Sequence, residues 1–261
     1  MSRKSSLSVS QVKTNLATHL FGSEILLFDE VESTNELAKR YIKQGEGLIV
    51  IADSQTKGKG RSGRSWHSPK GLGIYFSALL KLLTNNASPL TLMAGIACVL
   101  AIKPFLSHPK AAPTLKWPND ILVNGKKLAG ILCETCDGEP GWIVIGIGIN
   151  VNHLTTDFPD SLDATSLRIL TGSPVERETL IRSLITHLDQ EYRTWLLDGT
   201  PILVKKWSEY TRMFGEAITL KRGGSLFQGT AKKLDDLGQL VVLTENGEEM
   251  SFAGGEVTLK P

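Results

Sequence analysis

Residues 116–132, KWPNDILVNGKKLAGIL, decide the fold class of this chain. Two apolar runs, residues 121–123 and 128–132, lie on either side of the dipeptide Asn124-Gly125. Asn-Gly favours the type I′ turn, which joins antiparallel strands because its twist matches theirs. The segment therefore predicts a hairpin whose strands are residues 121–123 and 126–134.

Further strands and helices follow from the apolar periodicity on both sides of this hairpin. Short apolar runs rich in β-branched residues predict strands at residues 25–28, 48–52, 74–83, 114–117 and 142–150. Helical spacing predicts helices at residues 9–20, 34–43, 88–106, 180–195 and 202–210. Ser33 and Glu36 have the spacing of a capping box for the second helix. The third helix is apolar on all sides, which predicts that it lies in the core.

The last 48 residues differ in their residue pattern from the rest of the chain. Short apolar segments alternate there with glycine turns at Gly223-Gly224, Asn246-Gly247 and Gly254-Gly255. This pattern is typical of a small β-barrel or SH3-like module. The sequence therefore predicts an α+β fold in two parts. A domain of mixed β-sheet with flanking helices is expected at residues 1–213, and an SH3-like β-domain at residues 214–261.

Composition limits the class of protein. The 261 residues are 41% apolar and 21% charged, with a formal net charge of +2, so no global attraction to nucleic acid or membranes is expected. The longest apolar run, residues 90–106, contains Lys103 and Pro104 near its end and is too short to span a bilayer comfortably. Three cysteines make no disulfide framework, and no signal segment is recognisable. These features predict a reduced, cytoplasmic protein.

A glycine-rich basic loop, residues 57–64 (KGKGRSGR), contains four cations and three glycines. Glycines let backbone amides approach an anion, and lysine and arginine bind phosphate or carboxylate oxygens. The loop nearly matches the dinucleotide-binding fingerprint and the P-loop. Neither motif applies, because the Pro- and Gly-rich residues that follow cannot begin the required helix. We expect the loop to close over an anionic ligand, with a solvated surface loop as the alternative.

Single residues outside the loop also indicate a ligand site. Trp66, directly after the loop, is placed either to stack on a purine or to pack at the domain edge. Lys127 directly precedes apolar strand residues, beside which its charge needs an anion. Gly130 within a strand often marks the close approach of a ligand. Residues 146–150, GIGIN, repeat this pattern and end in an amide side chain, Asn150.

Taken in order, these segments resemble biotin protein ligases. The match consists of Ser33-Thr34-Asn35, Gln55 with residues 58–66, residues 116–120, residues 127–132 and residues 146–150. It covers the chain from about residue 27 to its end, including the small β-domain. Each motif is weak alone, whereas five in order at compatible spacing are specific.

The resemblance implies a role for each matched residue. Biotin would be bound by Ser33, Thr34, Asn35, Gln55, Lys59, Gly60, Arg61 and Lys127. ATP and the adenylate would be bound by Gly58, Arg61, Arg64, Trp66, Lys116, Asn119 and Asn150, with Trp66 stacked on adenine. Lys127 and Arg61 would be catalytic, because carboxylate attack on the α-phosphate needs positioned cations more than an acid–base pair. Magnesium would assist.

The chain differs from the family pattern in two respects, and one cysteine pair resembles a metal site without forming one. Many family members have arginine where this chain has Lys59, and lysine lacks the bidentate fork, so its side-chain role stays open. About two dozen residues precede the strand at residues 25–28, too few for the DNA-binding helix-turn-helix of some relatives, so no specific DNA binding is expected. Cys133 and Cys136 have metal-ligand spacing, but no second pair exists, and no protein-bound metal site is predicted.

The implied partner is the acceptor lysine of a biotin carboxyl carrier domain, and a homodimer through the central sheet is left open. A lipoate or octanoate ligase of the same superfamily is the first alternative, although the polar residues at 33–35 and Gln55 suit a cyclic urea better. A non-catalytic nucleic-acid-binding module is the second, and the low net charge disfavours it. An inactive scaffold is the third, disfavoured because no matched position is lost.

Overall fold

The computed structural model describes residues 7–82, 88–106, 111–160 and 162–259. Its larger part is built on a seven-stranded sheet. The strands are β1 (Ile25–Phe28), β2 (Ile49–Ala52), β3 (Gly73–Lys81), β4 (Thr114–Lys116), β5 (Asp120–Val123), β6 (Lys126–Thr135) and β7 (Trp142–Asn150). Their spatial order is β1-β2-β3-β7-β6-β5-β4, in which β1 and β2 are parallel and the other neighbours antiparallel. The predicted mixed sheet is therefore confirmed.

The β5–β6 hairpin forms around Asn124 and Gly125, as predicted. Their φ angles are 51° and 80°, and a type I′ turn requires positive values at both positions. The pairing contains a bulge: Ile121 pairs with Ala129, but Leu122 pairs with Lys127. Side chains normally alternate along a strand, so residues 127 and 130 would face opposite ways. The bulge reverses this relation and puts Lys127 on the same face of the sheet as Gly130.

Helices cover both faces of the sheet. They are α1 (Val9–Lys13), α2 (Thr34–Arg40), α3 (Ser88–Ile102), α4 (Leu167–Thr171), α5 (Arg177–Asp198) and α6 (Thr200–Tyr210). α3, α5 and α6 pack on one face against residues such as Ile49 and Phe76. α2 packs on the other face, where Ala38 meets Val50 and Leu79. Alternating residues of β2 therefore serve two separate cores.

The most apolar helix is a core helix, as its composition predicted. Residues 88–105 are long and apolar enough to cross a membrane by length and composition alone. However, 67% of this stretch is buried inside the protein, mainly against α5 and α6. Burial within the protein accounts for its apolar character.

Three helix predictions are wrong at their ends. The helix expected at residues 88–106 ends at Ile102. The leading helix, expected to reach residue 20, stops at Lys13, and Asn15 has a φ of 56°. The carboxylate of Asp189 instead accepts backbone N–H groups from residues 19–21. The helix expected at residues 34–43 ends at Arg40, and Ser33 occupies its N-cap position without a side-chain capping bond. The predicted capping box is therefore absent, because Glu36 is engaged by lysine side chains.

The C-terminal residues form a separate five-stranded antiparallel sheet. Its strands are β8 (Ala217–Arg222), β9 (Ser225–Leu234), β10 (Leu240–Thr244), β11 (Glu249–Phe252) and β12 (Glu256–Leu259), in the order β11-β10-β9-β8-β12. Trp117 Nε1 donates to the Gly238 carbonyl at 3.3 Å, which ties this sheet to the β4–β5 turn. The all-β prediction for this part is confirmed, and we propose residue 213 as the end of the larger domain.

Candidate active site

A cavity of about 270 Å³ opens on the α2 face of the central sheet. It brings together most residues that the sequence predicted for ligand binding. These are Ser33, Thr34, Asn35, Gln55, Lys59, Gly60, Arg61, Arg64, Trp66, Asn119, Lys127 and Asn150. Two predicted residues do not line it. Gly58 lies in the stem of the basic loop, close to the Trp66 carbonyl and Ser68 Oγ, and Lys116 lies on β4.

The floor of the cavity is made of glycines on neighbouring strands. Gly130 pairs with Gly148 across β6 and β7, and Gly146 lies two residues further along the same face. A Cβ atom at Gly148 would overlap the indole ring of Trp66, and one at Gly146 would overlap the Asn35 amide. A Cβ at Gly130 would lie 3.0 Å from Trp66. The two side chains can therefore lie flat on the sheet only because these positions lack side chains of their own.

One end of the cavity is a hydrogen-bonded polar cluster. Gln55 Oε1 accepts the Thr34 N–H at 2.8 Å and the Thr34 hydroxyl at 3.1 Å. Asn35 Nδ2 donates to the Leu132 carbonyl at 3.2 Å, and Asn35 Oδ1 accepts from Ser77 Oγ at 2.6 Å. The Ser77 hydroxyl also lies 2.8 Å from Thr34 Oγ1. These side chains fix one another, so the cluster is preorganised before a ligand arrives.

The same end keeps polar groups for a ligand. Ser33 is buried and lines the cavity, and its hydroxyl bonds to no residue within the described ranges. Gln55 Nε2 donates one hydrogen to Ser68 Oγ at 3.0 Å, which leaves its second N–H for a ligand. The arrangement suits a small group that carries both donors and acceptors.

The basic loop is folded as a small hairpin over the cavity. The Trp66 N–H donates to the Gly58 carbonyl at 2.9 Å, and the Gly60 N–H donates to the Arg64 carbonyl at 2.7 Å. Lys59 pairs with Ser65 between these two bonds. Arg61 therefore lies at the tip of a short, internally bonded hairpin.

Three of the four loop cations are already paired with carboxylates. Lys57 Nζ lies 2.8 Å from Glu32 Oε1, and Lys59 Nζ lies 2.7 Å from Glu36 Oε1. Arg64 Nη1 lies 2.8 Å from Glu256 Oε1, on β12 of the C-terminal sheet. Each of these acids comes from a different part of the fold. The pairs therefore attach the loop to its surroundings and neutralise much of its charge.

Arg61 is the exception among the loop cations, because it forms no ion pair with a described carboxylate. Its Nη1 atom donates to the Gly255 carbonyl at 3.1 Å and approaches Asn119 Oδ1 at 3.4 Å. Burial lowers the pKa of Arg61, although a guanidinium keeps its charge at any physiological pH. A half-buried guanidinium that lines the cavity and has no ion-pair partner among the described carboxylates is available to bind an anion.

Lys127 is the second cation of the cavity. Its Nζ atom lies 2.6 Å from Asp120 Oδ1 and 5.4 Å from the centre of the Trp66 ring. The sequence indicated that this lysine needs an anion, and in this structure Asp120 supplies it. Only about a third of the side chain is exposed, so its charge acts in a partly desolvated site.

The two asparagines predicted to bind the nucleotide, Asn119 and Asn150, are engaged with the backbone. Asn119 Nδ2 donates to the Ile131 carbonyl at 2.8 Å, and Asn150 Nδ2 donates to the Thr165 carbonyl at 3.1 Å. Both line the cavity, but these bonds hold the turn after β4 and the segment after β7 in place. Their predicted contacts with a nucleotide would use the remaining acceptor and donor positions.

The stems of the basic loop are joined by a buried ion pair that the sequence did not predict. Arg177 Nη1, in the first turn of α5, donates to Asp53 Oδ1 at 2.7 Å and to the Gly73 carbonyl at 3.1 Å. Asp53 follows β2 and Gly73 begins β3, so one guanidinium holds both ends of the segment that carries the loop. Both charged side chains are almost fully buried.

Several residues that line or support the cavity were not predicted from the sequence. Ser77, fully buried in β3, supports the polar cluster through Thr34 and Asn35, and its only signal in the sequence is a serine among mostly apolar strand residues. Phe158, Leu162 and Asp163 line the cavity from the segment after β7, which carries no motif. Nearby, His153 stacks on Phe158 at 4.9 Å, and burial lowers the pKa of this histidine to about 4. It is therefore neutral at physiological pH.

The described residues contain no group of three acidic, histidine or cysteine side chains that could hold a metal ion. The cavity presents the carboxylates of Asp120 and Asp163. Asp120 is paired with Lys127, so a magnesium ion at this cavity would need phosphate and water oxygens for most of its ligands.

Comparison with known proteins decides the family. Residues 27–150 match the biotin/lipoate A/B protein ligase family, and residues 213–260 match the biotin protein ligase C-terminal domain. The chain is 35% identical to the bifunctional ligase/repressor BirA of Bacillus spizizenii, over 92% of this chain and 76% of that protein. The chain belongs to the biotin protein ligase family. It is thus an enzyme, and its ligand-sized cavity is the candidate site of a biotin ligase.

Other relatives agree with this assignment. The biotin–[acetyl-CoA-carboxylase] ligase of Mycobacterium tuberculosis is 32% identical to this biotin ligase family member, over 81% of this chain and 79% of the relative. Among solved structures, the biotin protein ligase of Aquifex aeolicus in complex with biotin and ATP matches with a TM-score of 0.80. It is 30% identical and covers 91% of this chain and 99% of its own. Fold and sequence therefore lead to the same family.

Proposed function

We propose that this biotin ligase forms biotinyl-5′-AMP from biotin and ATP and transfers the biotinyl group to a specific lysine of a biotin carboxyl carrier domain. One observation carries the proposal. A single cavity has a preorganised polar cluster at one end and two cations, Arg61 and Lys127, at the other. Biotin has the matching polarity, with a cyclic urea at one end and a carboxylate at the other.

The polar cluster is the proposed urea site. The Ser33 hydroxyl and the second N–H of Gln55 are available to a urea carbonyl. Thr34 and Asn35 keep oxygen lone pairs that can accept the urea N–H groups. Lys59 and Gly60 line the cavity as part of the loop hairpin, which would cover the bound acid. The flexible chain of lipoate would leave this polar cluster unsatisfied, which costs affinity.

Trp66 and the glycine floor are the proposed nucleotide platform. One side of the indole lies against Gly148, and Lys127 lies over the ring. A purine stacked on the ring would place its phosphates toward Arg61 and Arg64. We propose Asn119 and Asn150, which line the cavity, as further adenylate contacts. Gly58 and Lys116 lie outside its lining, and their contacts with the adenylate stay a prediction.

The first step is a transfer at phosphorus. A biotin carboxylate oxygen attacks the α-phosphorus of ATP, the bond to the bridging oxygen breaks, and pyrophosphate leaves with the electron pair. Negative charge builds up on the α-phosphate oxygens, and Arg61 and Lys127 are placed to stabilise it. Magnesium, carried in with ATP, would neutralise the leaving pyrophosphate.

In the second step the acceptor lysine amine attacks the carbonyl of the mixed anhydride. AMP leaves, a proton is lost from nitrogen and an amide forms. The ligase needs to hold the adenylate and exclude water, which the loop hairpin and the segment containing Phe158 and Leu162 can do. The named activity of the Mycobacterium tuberculosis relative supports a carboxylase domain as acceptor. The proposed site of action is the cytoplasm.

Mass spectrometry tests the reaction directly. The protein, mixed with MgATP and biotin, is expected to yield biotinyl-AMP and an equal amount of pyrophosphate. Lipoate in place of biotin is expected to yield at least tenfold less adenylate, because it leaves the urea cluster unpaired. Preferential formation of lipoyl-AMP would support the alternative that the protein is a lipoate ligase. Absence of both adenylates would contradict the proposed first step.

A pair of glycine substitutions separates the two halves of the cavity. Gly146→Ala is expected to raise the KM for biotin roughly tenfold, because its Cβ overlaps the Asn35 amide. Gly148→Ala is expected to raise the KM for ATP roughly tenfold, because its Cβ overlaps the Trp66 ring. Steady-state adenylation kinetics measure both. Since the residues lie two apart on one strand, each variant serves as the other's control. Equal effects on both substrates would refute the division of the cavity.

A further inference from the structure

Lys59 connects the basic loop to α2. Its Nζ atom lies 2.7 Å from Glu36 Oε1, and the same carboxylate oxygen lies 3.1 Å from Lys39 Nζ. The bond to Lys59 is the main reason that the pKa of Glu36 is lowered. Glu36 is therefore shared between a loop lysine and a helix lysine, which leaves it little freedom to move.

The network continues from α2 to the floor of the polar cluster. Lys39 Nζ lies 3.6 Å from Glu134 Oε1, and Glu134 Oε2 accepts a hydrogen bond from Asn35 Nδ2 at 2.7 Å. A continuous chain of contacts therefore runs from Lys59 in the loop to Asn35 in the cavity. None of its three charged links, Glu36, Lys39 and Glu134, lines the cavity itself.

We propose that Glu36 is a positioning residue for adenylate formation: by holding Lys59 it fixes the loop hairpin so that Arg61 stays over the cavity. The inference rests on the proposed function. In this reading the Lys59 side chain anchors the loop and does not bind the ligand. The loop can transmit this anchoring because Lys59 pairs directly with Ser65 across the hairpin whose tip is Arg61.

The other two ion pairs of the loop are weaker candidates for this role. The Lys57–Glu32 pair precedes the hairpin, and its side chains are 69% and 63% exposed. Those of Arg64–Glu256 are 61% and 46% exposed, whereas those of Lys59–Glu36 are 46% and 36% exposed. Water screens the more exposed pair more strongly. Glu32 therefore provides a matched control, with the same type of partner, the same loop and the same substitution available.

The test compares Glu36→Gln, Lys59→Gln, their double variant and Glu32→Gln in the full chain. Glu36→Gln is expected to lower kcat/KM for biotin adenylation about fivefold, and Glu32→Gln less than twofold. The double variant is expected to be no worse than the poorer single variant, since both remove one contact. The deficit of Glu36→Gln relative to wild type is expected to shrink in 1 M salt, where charges are screened within about 3 Å.

Limited trypsin digestion gives a readout that does not need activity. The loop contains basic cleavage sites, and Glu36→Gln is expected to be cut there at least threefold faster than Glu32→Gln. Equal cutting of the two variants, equal adenylation by them, or fully multiplicative losses in the double variant would each overturn the inference. If wild type forms no biotinyl-AMP, the proposed function fails, while the digestion still decides whether Glu36 anchors the loop.

Discussion

Lys127→Ala is expected to slow formation of biotinyl-AMP by a factor of about 10² to 10³, the loss typical when one group that stabilises developing charge is removed. The effect should fall mainly on kcat, because the charge on the α-phosphate oxygens grows in the transition state. Single-turnover formation of biotinyl-AMP, followed by quenching and mass spectrometry, measures it without interference from product release.

The expected size of this effect follows from how the strand presents the lysine. The bulge in the β5–β6 hairpin puts Lys127 on the cavity face, beside Gly130, where a built Cβ would lie 3.2 Å from Lys127 Cε. Asp120 holds the ammonium at 2.6 Å until an anion arrives. A phosphate or carboxylate would then share or replace that contact, so the cation requires little reorganisation during the reaction.

Lys126→Ala is the matched control for this prediction. Lys126 is the preceding residue of the same strand, carries the same charge and is exposed outside the cavity. Its loss is expected to change the rate less than twofold. Comparable losses in both variants would mean that the net charge of the hairpin matters and not the position of one lysine. A Lys127→Ala enzyme with near wild-type kcat would remove this residue from the catalytic role.

The sequence predicted those parts of the fold that depend on local patterns. The type I′ turn at Asn124-Gly125 depends only on its own two residues. β7 was predicted at its observed bounds because a continuous run of apolar and β-branched residues is typical of a buried strand. The end of the leading helix was wrong because Asp189, distant in sequence, binds the backbone of residues 19–21. Such competition cannot be read from a local window.

The same distinction between local patterns and distant contacts applies to the residues of the candidate site. Glycines, loop cations and Lys127 carry a recognisable pattern, and they meet in one cavity. Ser77 and Glu134 act on Asn35 from other strands, and nothing near them in the sequence indicates that contact. The predicted capping box is absent for a related reason. Glu36 has the right spacing, but its carboxylate pairs with Lys39 and Lys59 instead of a backbone N–H. Tertiary contacts therefore decide the positioning residues, whereas motifs indicate the residues that meet a ligand.

Arg177→Met is expected to lower the free energy of unfolding by about 3–5 kcal/mol, because it leaves the buried Asp53 carboxylate without its cation. Arg177 is 4% exposed and Asp53 2% exposed. The substitution also removes the donor to the Gly73 carbonyl. Urea unfolding measures the loss. Arg182→Met, in the same helix, removes bonds to the carbonyls of residues 11 and 12 near the surface and is expected to cost less than about 1 kcal/mol.

The double variant Arg177→Met with Asp53→Leu separates the cost of an unpaired charge from the value of the pair. Replacing a buried ion pair with apolar residues is often close to neutral, so the double variant should regain most of the stability lost in Arg177→Met. It should still adenylate biotin poorly, because the guanidinium that links residue 53 to the Gly73 carbonyl would be absent and only backbone bonds would fix the stems of the loop. Recovery of both stability and activity would show that the pair serves the fold alone. Recovery of stability without activity would show that the reaction requires the Arg177–Asp53 pair to hold the stems of the loop.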